Sequence, residues 1–194
     1  MSIIIGLTGP TGAGKSSATK AAEKLGFQVI DCDLIARQAT KKGTDGLKAL
    51  TKAFGRDILL SDGSLNRLQL ARKAFSSKEN TELLNKTVLP FIVKLIKAQI
   101  GDSDTVLDAP TLFESGLNSI CYKTIAVLAS KELRMQRIIS RDQLTINDAN
   151  IRLNAGKSDD YYKEKADYLI YNNADAKNFY CKVTEILKNI KEEN

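Results

Sequence analysis

Eight residues near the start of the 194-residue chain, Gly9-Pro10-Thr11-Gly12-Ala13-Gly14-Lys15-Ser16, constrain its fold more than any other stretch. They fit the pattern GxxxxGK[ST], a loop whose glycines let successive backbone N–H groups face phosphate oxygens. The pattern alone recurs by chance. Here an apolar run, Ile3 to Leu7, precedes it, and a helical pattern to about Leu25 follows, with Gly26 placed to end the helix. Such a run suits a strand buried on both faces of a parallel sheet. The motif in this context therefore predicts ATP or GTP binding. In that reading Lys15 supplies a cation to the β- and γ-phosphates, and the Ser16 hydroxyl meets Mg²⁺.

A second short strand, Phe27 to Ile30, ends at Asp31-Cys32-Asp33, completing a strand–loop–helix–strand unit. A parallel sheet with right-handed crossovers follows. From Leu34 to Ile100 the pattern is helical: Leu47, Leu50 and Phe54 form one stripe, while Leu68 and Phe75, then Leu83 and Leu84, belong to others. Pro90 is placed to open the helix carrying Ile92, Leu95 and Ile96. Strands are expected at Thr105–Leu107 with Asp108, at Thr124–Leu128 and at Tyr168–Ile170, with a charged helix from Lys131 to Gln143. The last helix spaces Phe179, Val183, Ile186, Leu187 and Ile190 along one face. No repeat or interdomain linker interrupts the chain. The expected architecture is one α/β domain with a helical insertion.

Composition narrows the chemistry. Histidine is absent, which removes an imidazole base and His/Cys zinc sites. Cys32, Cys121 and Cys181 are odd in number and far apart, so neither a disulfide framework nor a CxxC motif is expected. Any metal should then be hard and oxygen-bound, such as Mg²⁺, and any general base a carboxylate. The net charge of +6 suits an anionic partner. Basic residues form no long run and aromatics are only 6%, so a polyanionic small molecule fits better than nucleic acid. No apolar run reaches the roughly 18 residues of a membrane span. The start lacks a basic region and a small-residue cleavage site, so a cytoplasmic protein is expected.

Two further groups are candidates for the site. Asp31 and Asp33 follow the second strand at its carboxyl end, the edge where open α/β sheets bind ligands. A carboxylate there can accept the proton of an attacking hydroxyl, or it can cap the next helix. Asp33 is assigned as base, and Asp31 as structural or metal-linked. Four of the eight arginines fall between Arg134 and Arg152. Arg134, Arg137 and Arg141 span an arc of about 60° on one helix face. That is either a solvated face or a lid whose guanidiniums meet phosphates on closure. No NKxD signature for guanine exists, since Asn85-Lys86-Thr87-Val88 ends in valine, and a motor would need a longer chain. A small-molecule kinase leads over a nucleotide-binding regulator.

These residues resemble the dephospho-coenzyme A kinase family. The likeness runs over almost the whole chain: Ile5-Gly6-Leu7-Thr8-Gly9 into Gly14-Lys15-Ser16, Val29-Ile30-Asp31-Cys32-Asp33, Asp62-Gly63-Ser64-Leu65-Asn66-Arg67, Asp108-Ala109-Pro110 with Leu112-Phe113-Glu114, Arg137 and Arg141, and Ala166-Asp167-Tyr168. The chain departs from the family pattern at Leu89, Thr111, Gly156 and Ala174. The resemblance implies a three-layer P-loop NTPase fold, with a core of about 1–33, 102–130 and 166–194. It also implies a helical acceptor-binding insertion at about 34–101 and a lid at about 131–165. It implies ATP-dependent phosphorylation of the ribose 3′-hydroxyl of dephospho-coenzyme A with Mg²⁺, the last step of coenzyme A synthesis. Carried over, the resemblance implies that Thr11, Gly12, Ala13, Gly14, Lys15, Ser16 and Ser17 hold the ATP phosphates, that Asp33 is the base, that Arg67 belongs to the acceptor side, and that Arg137 and Arg141 belong to the lid. The alternative is a related phosphate-loop kinase acting on a nucleoside monophosphate or another small acceptor, ahead of a nucleotide-binding regulator.

Overall fold

The computed structural model describes residues 2–193. In chain order the elements are β1 (Ile4–Thr8), α1 (Lys15–Lys24), β2 (Gln28–Asp31), α2 (Cys32–Ala39), α3 (Asp45–Phe54), α4 (Arg67–Ala74) and α5 (Lys78–Gln99). There follow β3 (Thr105–Asp108), β4 (Lys123–Leu128), α6 (Lys131–Asp142), α7 (Ile146–Asn154), α8 (Asp159–Lys165), β5 (Tyr168–Tyr171) and α9 (Ala176–Glu192). The chain divides into two compact units, the second formed by Asp31–Gly101 with Glu114–Leu117 and the first by the remainder.

The first unit holds the sheet, in the order β2-β3-β1-β4-β5. β1 pairs in parallel with β3 and β4, and β4 in parallel with β5. Parallel neighbours need crossovers, which the intervening helices provide. Alternation sorts the strand side chains by face. Ile3, Ile5 and Leu7, with Val106, Ile125, Val127 and Ile170, are buried against Ala18, Ala21 and Ala22 of α1 and Phe179, Val183, Leu187 and Ile190 of α9. On other strand positions Ala126 and Leu128 pack with Tyr162 of α8. Helices thus lie on both faces, and the middle positions of the central strands are buried and apolar apart from Gly6. The fold is a three-layer α/β phosphate-loop fold with a parallel core sheet, as expected.

The segment 146–165, for which periodicity alone predicts no element, contains α7 and α8. The Thr145 hydroxyl receives the Asp148 N–H, and that of Ser158 receives the Tyr161 N–H, so each helix starts on a side-chain cap. Ile138 of α6 packs with Ala149 and Leu153 of α7 to bury a small core of its own.

The second unit packs Leu50, Phe54, Ile58, Leu70 and Ala74 around one core. Two expectations need correction here. Pro90 does not open a helix: it lies inside α5, which starts at Lys78 under the Ser77 cap. Burial of Ile92 and Ile96, with Leu84 packed partly against the Leu50–Phe54 core, outweighs the local cost of the ring. Leu68 and Phe75 are not core either, being 63% and 68% exposed; α4 buries Leu70 and Ala74 instead.

Candidate active site

In the first unit, β1 delivers the chain into the glycine-rich loop, and α1 carries it away. Side chains cap eight of the nine α-helices among the described residues; of these, α1 alone has a glycine, Gly14, at that position. The first N–H groups of a helix have no intrahelical acceptors, and the helix dipole adds positive potential there. The first turn of α1 carries no acidic residue, and Ser16 and Ser17 are exposed. This end of the helix is built for an anion.

The glycines have physical reasons. Gly12 has φ +79°, and a Cβ there would sit 2.7 Å from the Arg134 carbonyl oxygen, so α6 lies hard against the loop. Gly14 has φ +97°, and its Cβ would fall 2.0 Å from the Asn172 side-chain nitrogen. Ala13 is fully buried, and its N–H donates to the Pro10 carbonyl at 3.2 Å.

Lys15 forms an ion pair with Asp108, their side chains 18% and 21% exposed. The register explains the meeting: Asp108 ends β3 opposite Leu7 of β1, beside the point where β1 turns into the loop. Sequence reasoning placed Asp108 at the end of a strand without assigning it a role. The signal available was that carboxyl ends of adjacent parallel strands share one sheet edge.

The three α6 arginines do different things. Arg134 is 8% exposed and pairs with Asp159 at 3.3 Å, so a fully solvated face is not what α6 presents. Arg137 turns onto the loop: Nη1 donates to the carbonyls of Gly12 at 3.3 Å and Ala13 at 3.2 Å, and Nη2 to the Asn172 carbonyl at 2.9 Å. Arg141 is exposed and grips Asp142 with two bonds of 2.8 Å, while Arg152 donates to the same carboxylate at 2.6 Å. The Asp142 hydrogen bond raises the Arg141 pKa, and Arg141 with Arg152 holds Asp142 below the usual carboxylate range. Asn172, which sequence reasoning did not assign to the site, donates from Nδ2 to the Ala13 carbonyl at 2.9 Å.

Asp33 and Arg67 belong to the second unit. Asp31, expected to be structural or metal-linked, caps α2 by accepting the Leu34 N–H at 3.0 Å. Asp33 lies exposed in the first turn of α2 rather than at the strand end. Arg67 is exposed and opens α4, its Nη2 donating to the Thr40 hydroxyl at 3.2 Å.

Fold and loop together define the class: a three-layer α/β phosphate-loop protein. A solved protein of Thermus thermophilus, 26% identical and covering 97% of each chain, superimposes with a TM-score of 0.77. The shikimate kinase of Acinetobacter baumannii, 20% identical over 100% of this chain and 96% of its own, shares the fold with a TM-score of 0.55. Residues 3–178 match the family described as Dephospho-CoA kinase. A dephospho-CoA kinase of Pseudoalteromonas translucida is 37% identical over 172 residues, 87% of this chain and 82% of its own. The chain belongs to the dephospho-CoA kinase family.

Proposed function

We propose that the protein transfers the γ-phosphoryl group of ATP to the ribose 3′-hydroxyl of dephospho-CoA, giving CoA and ADP. The observation that carries this reading is an intact phosphate loop, with Lys15 held at its mouth by Asp108, in a chain of this family. Phosphoryl transfer asks for positioning and charge stabilisation more than covalent chemistry. The uncapped amides of α1 hold phosphate oxygens, and Lys15 leaves Asp108 for the β- and γ-phosphates. Asp108 keeps Lys15 in place until ATP arrives.

The acceptor oxygen attacks the γ-phosphorus, the bond from that phosphorus to the β–γ bridging oxygen breaks, and the hydroxyl proton passes to Asp33. With Asp31 spent on a helix cap and no histidine in the chain, Asp33 is the base. Arg67 supplies a cation to the acceptor side. Arg137 and Arg141 serve the nucleotide side, where Arg141 exchanges Asp142 for a phosphate oxygen as the lid closes.

The donors on this edge fit Mg²⁺, which takes hard oxygens from one or two side chains and the rest from phosphate and water. The Ser16 hydroxyl and the Asp108 carboxylate are such donors, and a dedicated cage of three or more ligands is absent among the described residues. Held there by the Ser16 hydroxyl and the Asp108 carboxylate, Mg²⁺ would supply positive charge to offset the charge developing on the β- and γ-phosphates. No helix among the described residues is long and apolar enough to cross a membrane. We place the enzyme in the cytoplasm, acting on a free small-molecule substrate and not on nucleic acid.

The position of transfer is tested on the product. Incubation with ATP and dephospho-CoA should add one phosphoryl group to the acceptor, and a 3′-nucleotidase should remove it. A product resistant to that enzyme contradicts the proposed position.

A further inference from the structure

We infer that Asn172 is a positioning residue of the phosphate loop, acting with Arg137 to fix which way the Ala13–Gly14 peptide faces. The inference rests on reading this loop as the ATP-phosphate site. Asn172 follows β5 directly and is 7% exposed, and its N–H donates to the Leu128 carbonyl at 2.7 Å, which pins its backbone to β4. From that anchor its Nδ2 reaches the Ala13 carbonyl at 2.9 Å. Arg137 reaches the same oxygen from Nη1 at 3.2 Å and steadies Asn172 through the Asn172 carbonyl at 2.9 Å. One carbonyl thus receives two donors, each fixed by a different element.

A trans peptide is planar, so the C=O of Ala13 and the N–H of Gly14 point in opposite directions. Donors that hold the carbonyl on one side turn the Gly14 N–H to the other, away from both side chains. That N–H heads the uncapped start of α1 and is thereby presented to an anion. If the carbonyl turned that way instead, its negative end would meet the phosphates. The Gly14 backbone points to the same coupling. A Cβ at Gly14 would lie 2.0 Å from Asn172 Nδ2, so the bond to Ala13 forms only because position 14 has no side chain. The glycine before Lys15 therefore answers to Asn172 as well as to its own φ of +97°.

Asn172→Asp replaces the donor with an acceptor of similar shape facing a carbonyl oxygen. Dissociation constants for ATP and for dephospho-CoA, measured separately by titration calorimetry with unfolding midpoints, separate positioning from general support. ATP binding should weaken by about tenfold or more in Asn172→Asp, and by less in Asn172→Ala. The dephospho-CoA constant should move less than about twofold. ATP binding within about twofold of wild type in Asn172→Asp, or equal losses for both ligands, overturns the inference.

Gly14→Ala in wild-type and Asn172→Ala backgrounds keeps the test open if Asn172→Asp does not fold. The methyl group meets the amide only in the first, so its cost in ATP affinity should be at least about fivefold smaller in the second. Equal costs overturn the coupling. A wild-type protein that binds no ATP overturns the functional reading and this inference together; a wild-type protein that binds ATP, with an indifferent Asn172→Asp, overturns the inference alone.

Discussion

Lys15 is the residue on which most of the proposed chemistry converges. On the proposed mechanism its charge would bind phosphate more strongly as negative charge develops in transfer, and would act on turnover more than on ground-state affinity. Lys15→Ala should therefore lower kcat by about 10²–10³-fold, or about 3–4 kcal/mol of transition-state stabilisation, in a steady-state assay of ADP release. The two carboxylates after β2 separate in the same assay. Asp33→Asn keeps the shape and removes the proton acceptor, so kcat should fall more than KM for either substrate rises. Asp31→Asn retains an equally good helix cap and should turn over near the wild-type rate, whereas Asp31→Ala should cost about 1 kcal/mol of stability. The opposite ranking of the two Asn variants would exchange the roles. The places of Lys15 and Ser16 after the glycine loop and of Asp31 at the end of β2 were legible in the sequence, because motif and strand end fix them locally. Asp108 and Asn172 were not, because each reaches the loop across more than ninety residues of chain, through strand pairing that no local pattern reports.

At the scale of elements, α6 shows how a face shared by three arginines resolves into three sets of contacts. Helical spacing placed Arg134, Arg137 and Arg141 together, but what they touch is set by Asp159, by the loop carbonyls and by Asp142. If Arg141 exchanges Asp142 for phosphate, its planar fork matters as well as its charge. Arg141→Ala should then lower kcat/KM for ATP by more than about threefold, ~0.7 kcal/mol, and Arg141→Lys should recover only part of the loss. Full recovery by lysine would show that charge alone suffices. Helix α5 illustrates the opposite failure of local reading. Proline reads as a helix start because it lacks an N–H, yet Ser77 caps the helix well upstream of Pro90, and tertiary burial carries it through. Pro90→Ala restores the missing donor and relieves the ring's contact with the preceding turn. It should raise the unfolding midpoint, with a gain of up to about 3 kcal/mol less whatever proline saves in the unfolded chain.

For the whole molecule, the α/β class was legible because apolar strands and an amphipathic last helix announce themselves by period. Strand order was not, since it depends on pairings between distant segments. One such pairing is held electrostatically. Asp104, just before β3, accepts the Ile3 N–H at 3.1 Å and pairs with Lys191 of α9 at 2.8 Å. Burial pushes its pKa up, but the Lys191 ammonium and the Ile3 N–H outweigh that and hold it below the usual range. A depressed folded-state pKa stabilises the protein above the unfolded value of about 3.9 and is lost as pH falls through the folded one. Denaturant titrations from neutral to acid pH should show that loss, and Asp104→Asn should lower stability near neutrality while flattening the acid decline. An unchanged acid decline in the variant would assign it to other carboxylates.

The central claim is the acceptor. A coupled assay of ADP release, run with dephospho-CoA and with a panel of nucleoside monophosphates at equal concentration, tests it directly. Rapid ATP-dependent turnover with dephospho-CoA, with little above background for the monophosphates and strong loss in Asp33→Asn, is the predicted result. Turnover that favours any nucleoside monophosphate over dephospho-CoA would contradict it.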